Sequence, residues 1–471
     1  MQKKRLSRRD FLRLGGLTTA GVVLAGCGPT TTPTPETIIQ TQIVKETEIV
    51  TEKEVVKETV EVPVAAATTE PITLTLWHHW GGDREPLLIK ACDDFSARNP
   101  GVSVELTLIP WERKEETLLT AIAAGNAPDV LHLISTETPV YVMDEVLVPL
   151  DDYIATAGIK ADELVEVDWQ SGIINGKIWA LPLNSSGADL MMFTNLKFYE
   201  EDGLDPAKPP VTWDEMRDFA KKMTKTENGE ITRLGAQIGA SGWEWLYYIA
   251  QNDGQWLSTD GRNVLMDNPQ SVEALQYVVD IFDIQGGWEK VTAFLGIARQ
   301  TEPFIADVVA NYCSGQWVNY YILTGNPGLK YGTAVAPKNK GPWTAESYGP
   351  QQWTIPTGNK HNDLAFALSL WLSRGDGGCN FLTPQVMPSA WKACNDRNQY
   401  ALIADFWSTI EAAFATTRAT VPTPVFNQFL SIWDEMMQKA LLKDSTPAEA
   451  VTWATEEMVK TNDEYWAKHS G

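Results

Sequence analysis

The sequence predicts an α/β protein, and three observations lead to that prediction. The chain has 471 residues, which predicts two or three domains at roughly 100–200 residues each. Hydrophobic residues make up 44% and charged residues 21% of the chain, an ordinary balance for a globular protein. From residue 72 to residue 134 the apolar pattern switches repeatedly between strand and helix periodicity. The folded part therefore begins near residue 71 with alternating strands and helices.

Five elements follow one another in this first segment. They are a strand at 72–76, a helix with Leu88, Ala91, Cys92 and Phe95 on one face, a strand at 102–108, a helix at 115–124 and a strand at 129–134. Such a βαβαβ run requires right-handed crossovers and a parallel sheet. Ligands bind such sheets outside the carboxyl ends of the strands. We therefore expect ligand-facing loops at 77–84, 110–114 and 135–139.

The N-terminal segment predicts export and a tether. Residues 1–26 combine six Lys or Arg side chains with a short apolar stretch, the pattern of a signal peptide. Within it, SRRDFL resembles the twin-arginine export signature, and LAGC at its end resembles the lipobox of bacterial lipoproteins. The lipobox resemblance implies cleavage before Cys27 and a lipid on its sulfur. The segment 27–70 is rich in Thr, Pro and Glu and has no aromatic residue, so we expect a lipidated, disordered stalk.

Charge and motif content exclude several functions. The 61 acidic and 38 basic side chains give a formal charge of −23, which repels phosphate backbones and argues against nucleic acid as a partner. No apolar run reaches the ~18–20 residues that a membrane-spanning helix needs. G-x-S-x-G, H-E-x-x-H and phosphate-loop motifs are absent, and the five His lack metal-ligand spacing. We expect no cofactor and no metal, although abundant carboxylates leave a glycoside hydrolase open.

An ordered series of short motifs runs through the folded part. The motifs are LWHHWGG (76–82), NPGV (99–102), AAGNAPDV (123–130), VPLDDY (148–153), GKIWALP (176–182), MFTN (192–195), TWDE (212–215), SGQW (314–317), QWTIP (352–356) and LAF (364–366). Through this series, residues 71–465 resemble the family 1 extracellular solute-binding proteins, the sugar-binding subunits of ABC importers. The resemblance implies a type II periplasmic-binding-protein-like fold, in which two α/β lobes enclose a ligand cleft.

The resemblance also implies how the chain is divided between the lobes. Three crossings are expected, near residues 184–189, 348–353 and 386–391. Lobe one would then comprise 71–186 plus 351–388, and lobe two would comprise 187–350 plus 389–471. Cys379 and Cys394 flank a loop near the third crossing and could form a disulfide outside the cell. Cys313 could pair with any of the remaining cysteines, and Cys92 reads as a small buried hydrophobe.

Candidate ligand contacts follow from the chemistry of a sugar. Its apolar C–H faces suit aromatic rings, and its hydroxyls suit Asp, Glu, Asn and Gln at the rim. The chain offers 19 Trp. The candidates on the predicted loops, at the crossings and in lobe two are His79, Trp80, Asp83, Ser135, Thr136, Glu137, Asp189, Trp243, Trp245, Trp317 and Trp353. Trp317 is the strongest of them, because the resemblance places a ligand-facing aromatic there; Trp213, Trp371, Trp433 and Trp453 lie in helix-like patterns and are expected in the core.

These features predict an extracellular substrate-binding lipoprotein of an ABC importer. It would capture a mono- or oligosaccharide between its lobes and deliver it to the transmembrane permease subunits. We expect a monomer at the outer face of the cytoplasmic membrane, periplasmic or extracellular, attached through its lipid alone. The alternatives are a surface-anchored carbohydrate-active enzyme and a binding protein for a polyol, a glycerol phosphate or a cation.

Overall fold

A computed structural model describes residues 70–109, 114–298, 303–395 and 404–469. The predicted signal peptide at 1–26, Cys27 and all of the stalk except Glu70 lie outside the described residues. So does the predicted loop at 110–114, except for its last residue. Over the described ranges, no helix is both long enough and apolar enough to cross a membrane.

Strands and helices are numbered in chain order. The strands are β1 (Ile72–His78), β2 (Val102–Leu108), β3 (Val130–Ile134), β4 (Ile173–Ile174), β5 (Lys177–Ile178), β6 (Leu181–Pro182), β7 (Met191–Asn195), β8 (Lys225–Glu227), β9 (Glu230–Gln237), β10 (Val309–Ser314), β11 (Tyr331–Val335), β12 (Ala345–Ser347), β13 (Gln351–Thr354) and β14 (Thr417–Ala419). The α-helices are α1 (Glu85–Arg98), α2 (Lys114–Ala123), α3 (Thr138–Met143), α4 (Asp151–Thr156), α5 (Glu166–Ser171), α6 (Leu196–Glu201), α7 (Trp213–Met223), α8 (Gly242–Gln251), α9 (Pro269–Ile284), α10 (Trp288–Ala298), α11 (Val318–Gly325), α12 (Asn362–Ser373), α13 (Asp376–Leu382), α14 (Lys392–Asn395), α15 (Ala404–Phe414), α16 (Phe426–Leu441) and α17 (Pro447–Lys468).

The first lobe is built on a five-stranded sheet in the order β2-β1-β3-β13-β6. Strands β1, β2 and β3 are parallel, with Ile72 opposite Val102 at one end of the β1–β2 pair. This confirms the parallel sheet that the alternating pattern predicted. Helix α1 begins with Pro86 in its first turn and buries the predicted stripe of Leu88, Ala91, Cys92 and Phe95. Strand β13 adds antiparallel to β3 and brings a distant part of the chain into the first lobe.

The second lobe is built on another five-stranded sheet, in the order β11-β7-β10-β9-β8. Strand β10 pairs parallel to β9 and antiparallel to β7. Helix α7 begins with a capping box, in which Thr212 and Glu215 each accept a hydrogen bond from the other's backbone N–H. Trp213 and Trp433 are buried in the core of this lobe, as predicted, and Trp371 is buried in the first lobe. Trp453 is only partly buried against the second core.

The three predicted crossings lie side by side. Asn184 forms a β-bridge with Ser389, and its Oδ1 accepts a hydrogen bond of 2.9 Å from the backbone N–H of Gln351. The backbone N–H of Ser185 donates to the carbonyl of Pro388 at 2.8 Å. Each crossing is thus tied to another by a hydrogen bond or a β-bridge, which keeps their relative register fixed.

Some side chains beyond the predicted boundary at 388/389 pack with the first lobe. Ala390, Trp391 and Cys394 lie in its core. Trp391 also donates from its indole Nε1 to the carbonyl of Pro182 at 2.8 Å. The next described helix, α15, packs in the second core.

The four cysteines in the described ranges have two different environments. Cys379 on α13 and Cys394 on α14 are joined by a disulfide, with their Cα atoms 5.4 Å apart. Cys92 and Cys313 are free and buried. Burial agrees with the interpretation of Cys92 as a small hydrophobe in the core.

Candidate functional site

A cavity of about 640 Å³ is lined by residues of both lobes. Lobe two supplies most of its wall, from the end of β9 and the segment after it, the end of β10 and the segment after it, and helices α9 and α10. Lobe one contributes Ile134 at the carboxyl end of β3 and Gln351 at the start of β13, and Asp189 and Tyr348 come from the crossings. The cavity thus brings together residues that are far apart in the sequence. Its volume lies within the range of roughly 300–1,000 Å³ that is typical of ligand pockets.

Aromatic rings form much of the cavity wall. Trp243, Trp288, Trp317, Tyr247 and Tyr348 all line it. The Trp243 ring meets the Tyr348 ring edge to face, with ring centroids 5.1 Å apart. The ring centroids of Tyr247 and Tyr348 are 6.4 Å apart. Such contacts fix the ring orientations. The wall can therefore present preformed flat apolar surfaces to a ligand.

The position of the Trp317 ring depends on Gly315, two residues before it. A Cβ on Gly315 would lie 2.0 Å from Cζ3 of the Trp317 ring, so the indole occupies the space that any other side chain would fill. The ring is half-buried, packs against the second core and borders the cavity. Gly315 thus determines where the ring lies, through contact rather than through an unusual backbone angle.

Glu244 places a carboxylate on the same wall. It is the third residue of α8, and its Oε2 accepts a hydrogen bond of 2.9 Å from the backbone N–H of Ser241 and a short one from the Ser241 hydroxyl. This capping box holds the carboxylate beside the cavity. Burial raises the pKa of Glu244, and the nearby Asp434 raises it further.

Asp189 is the second carboxylate of the wall. Its side chain is buried, and its Oδ2 lies 3.5 Å from the Ser347 hydroxyl. Burial raises the pKa of Asp189 well above its ordinary value, and the neighbouring carboxylate of Asp168 raises it further. Asp168 is also buried, and burial raises its pKa to about 6 although Ser185 and Ser186 donate hydrogen bonds to it. The site therefore holds acidic groups in a medium that disfavours charge.

The predicted ligand contacts fall into two groups. Asp189, Trp243 and Trp317 line the cavity, whereas the other predicted residues do not. The remaining eight residues are His79, Trp80, Asp83, Ser135, Thr136, Glu137, Trp245 and Trp353. Asp83 is exposed in a short 3₁₀ turn. None of these eight lines the cavity, and ligand contact by them stays a prediction.

Three of the eight are core tryptophans. Trp245 and Trp353 are fully buried, and Trp80 is 5% exposed. Trp80 packs on His132 with ring centroids 3.6 Å apart and also contacts Trp353 and Phe381. These rings have no free face for a ligand, because neighbouring side chains of their own lobe cover them.

The loop after β3 supports the second crossing instead of facing the cavity. Ser135, Thr136 and Glu137 are buried. The backbone N–H of Ser135 donates to the carbonyl of Pro350 at 3.1 Å. Gly349 has φ +100°, and a Cβ there would lie 1.4 Å from the Ser135 hydroxyl oxygen. The two lobes can approach here only because residue 349 is a glycine.

His79 contacts the cavity indirectly. Its Nδ1 lies 3.1 Å from Nδ1 of His132, and its Nε2 lies 3.3 Å from Oε1 of Gln351. Gln351 lines the cavity, so His79 helps to position a cavity residue without bordering the cavity. Within the described ranges, no group of three or more His, Cys, Asp or Glu side chains could hold a metal ion.

Several wall residues were not predicted from the sequence. They are Ile134, Gln237, Ile238, Gly239, Ala240, Ser241, Glu244, Tyr247, Phe282, Trp288, Thr292, Leu295, Tyr312, Cys313, Ser314, Gly315, Tyr348 and Gln351. Ser241 and Glu244 carry a usable signal, the capping-box spacing at the start of a helix beside a predicted contact. Tyr348 and Gln351 lie in the predicted second crossing. Ser314 and Gly315 belong to the SGQW motif, and Ile134 ends the predicted strand before the expected loop at 135–139. The remaining residues have no local signal.

Comparison with known proteins settles the family. The family described as bacterial extracellular solute-binding protein matches residues 81–374. The chain belongs to this family. Family membership agrees with export from the cytoplasm and with binding rather than catalysis as the family's common property. The α/β fold with two five-stranded sheets, and a cavity lined by residues of both lobes, agrees with that assignment.

Two curated relatives show how far the sequence similarity extends. A binding protein of Brucella abortus (strain 2308) is 28% identical over 360 residues, which are 75% of this chain and 84% of the relative. The sn-glycerol-3-phosphate-binding periplasmic protein UgpB of Escherichia coli (strain K12) is 28% identical over 181 residues. That match covers 37% of this chain and 39% of UgpB.

Solved structures share the fold at lower sequence identity. CpMnBP1 with mannotriose bound has a TM-score of 0.71 at 22% identity and covers 82% of this chain and 99% of its own. The sugar-binding protein MalE from Xanthomonas citri has a TM-score of 0.71 at 18% identity and covers 85% and 100%. At these identities the similarity establishes the type II periplasmic binding fold.

Proposed function

We propose that this solute-binding protein captures a carbohydrate in the cavity between its lobes and delivers it to an ABC importer. The proposal rests on the residues that line the cavity. Flat rings of Trp243, Trp288 and Trp317 stand beside hydrogen-bonding groups of Asp189 and Glu244, and a sugar offers apolar C–H faces and hydroxyls to match them. The mannotriose bound to CpMnBP1 and the description of MalE from Xanthomonas citri as a sugar-binding protein support the same ligand class.

The cavity favours an oligosaccharide over a monosaccharide. Its volume of about 640 Å³ is well above the lower end of the roughly 300–1,000 Å³ range of ligand pockets. Several rings on the wall would also give more than one stacking position. We therefore propose a ligand of two or more sugar units.

The location and partners of the protein follow from its N-terminus and family. We propose that a lipid on Cys27 anchors the protein to the outer face of the cytoplasmic membrane, and that residues 27–70 tether the lobes. Export through the twin-arginine route, a monomeric state and contact with permease subunits belong to the same proposal. The lobes would comprise 71–186 plus 351–395 and 187–350 plus 404–471.

Binding without catalysis is the simpler interpretation of the carboxylates. Glu244 is engaged by the Ser241 cap, and Asp189 lines the cavity but is only 3% exposed. A glycosidase needs one carboxylic acid and one carboxylate placed on either side of the scissile bond. The hydrogen bonding of these two residues gives no support to that arrangement.

A thermal-shift screen tests the proposed function. The panel contains mannobiose, mannotriose, maltose, maltotriose, cellobiose and the corresponding monosaccharides. A sugar present at 100 times its Kd should add about 2.7 kcal/mol to the stability. Stabilisation by one or more oligosaccharides, without their hydrolysis, is expected. Hydrolysis would favour the enzyme, and no response to any carbohydrate would contradict the proposal.

A further inference from the structure

The N-terminus of α8 borders the cavity, and two of its backbone hydrogen-bond donors are already used. Ser241, Trp243 and Glu244 all border the cavity. The backbone N–H of Gly242 donates to Oδ1 of Asp434 at 2.7 Å, and that of Ser241 donates to Glu244. A helix N-terminus ordinarily attracts anions, because its free N–H groups and dipole favour negative charge. Here the protein's own carboxylates occupy that position.

The rest of the wall is also short of positive charge. Of the residues known to line the cavity, none is a Lys, an Arg or a His, whereas Asp189 and Glu244 are acidic. Gln237 adds a buried Oε1 acceptor that has no hydrogen-bond partner within the described structure. The wall therefore presents acceptors that need donors from a ligand.

We propose that the cavity selects an uncharged, hydroxyl-rich carbohydrate, and that Glu244 and Asp189 exclude its phosphorylated, sulfated and carboxylated forms. The inference rests on the proposed function. Hydroxyl groups can donate to the carboxylates and to Gln237, which satisfies acceptors that would otherwise remain buried. An anionic group would lose its hydration at this wall, where none of the described lining residues is a Lys, Arg or His that could compensate its charge.

Matched ligand pairs test the selectivity. For each oligosaccharide that binds the full-length protein, isothermal titration calorimetry at pH 8 compares it with its 6-sulfated form. Glycerol is likewise compared with sn-glycerol 3-phosphate. We expect each anionic probe to bind at least 100-fold more weakly than its neutral partner. An anionic probe that binds as tightly as its neutral partner would overturn the inference and leave the proposed function intact.

Charge-removing variants identify the residues responsible. Glu244→Gln retains an acceptor for the Ser241 cap and removes the charge, so the neutral-to-sulfated ratio should fall at least tenfold. Asp189→Asn provides a second test if Glu244→Gln lowers the melting temperature strongly. Glu435→Gln is the matched control, because that carboxylate is 56% exposed, pairs with Lys439 and lies outside the cavity lining. An unchanged neutral-to-sulfated ratio in both cavity variants would overturn the inference alone. If no probe bound the unaltered protein, both the proposed function and the inference would be contradicted.

Discussion

At the scale of single residues, Trp317 is the clearest test of the aromatic wall. Trp317→Ala removes ring area from the cavity but leaves the core largely intact, since the ring is only half-buried. Affinity for the stabilising sugar should fall by roughly 1–3 kcal/mol, by analogy with stacking of bases on aromatic side chains. That is about 5- to 150-fold in Kd, measured by calorimetry.

Two variants serve as controls for Trp317→Ala. Trp213→Phe alters a buried ring that lies away from the cavity, so it should lower the melting temperature and leave the Kd unchanged. Gly315→Ala keeps the Trp317 ring, but the added Cβ would take space that the ring now fills. The ring must therefore move, and binding should weaken as well. An unchanged Kd in Trp317→Ala would show that this ring does not contact the ligand.

Asp168 gives a pH-dependent prediction at the same scale. Burial raises its pKa from 3.8 to about 6, so the folded protein holds this proton more tightly than the unfolded chain. Its contribution to stability is therefore full below about pH 4 and is lost as the pH rises to about 6. The loss amounts to about 3 kcal/mol at 1.36 kcal/mol for each pKa unit.

Asp168→Asn should remove that loss. The variant should exceed the unaltered protein in free energy of unfolding at pH 8, and the difference should shrink towards pH 4. Urea denaturation at pH 4, 6 and 8 measures it. A difference that stays constant across this range would show that Asp168 does not titrate as its burial indicates.

At the scale of elements, the disulfide joins α13 to α14 at the end of the first lobe. It closes a loop of 15 residues, for which loop entropy predicts about 3 kcal/mol of stabilisation. The double variant Cys379→Ser/Cys394→Ser should lose about that much free energy of unfolding in urea. Dithiothreitol should lower the stability of the unaltered protein and leave the variant unaffected. A variant as stable as the unaltered protein would mean that packing alone holds these helices together.

At the scale of the whole molecule, the crossings predict closure of the lobes on the ligand. Both lobes contribute to the cavity wall, so a ligand that touches both stabilises the closed arrangement. Small-angle scattering should show a smaller radius of gyration with saturating sugar. Trp317→Ala at the same sugar concentration should compact less, because less of it is bound. An unchanged radius at saturation would indicate a rigid site.

Attachment to the membrane is also a property of the whole molecule. Cys27→Ala should move the protein from the membrane fraction to the soluble fraction, because the lipobox interpretation places the lipid on that sulfur alone. Cys92→Ala, which alters a buried thiol, should leave the distribution unchanged. Retention of Cys27→Ala in high-salt-washed membranes would contradict the lipobox interpretation.

Local sequence patterns were sufficient where one segment determines its own structure. The alternation in 72–76 and the spacing of Leu88, Ala91, Cys92 and Phe95 predicted β1 and α1, because each element buries one regular face. The parallel sheet followed from the order of elements. The motif series predicted the family and the two-lobed fold, because those motifs mark elements spread over the whole chain.

Tertiary structure alone decided which aromatic and acidic side chains reach the cavity. Trp243 and Trp245 lie two residues apart on α8, yet the first lines the cavity and the second is fully buried. Residues two apart on a helix lie on opposite sides of it, and the packing of α8 against the second core decides which side borders the cavity. Asp189, Gln237, Trp317 and Tyr348 come together for the same reason. A cavity forms where distant segments leave space between them, so the periodicity of a single segment cannot predict it.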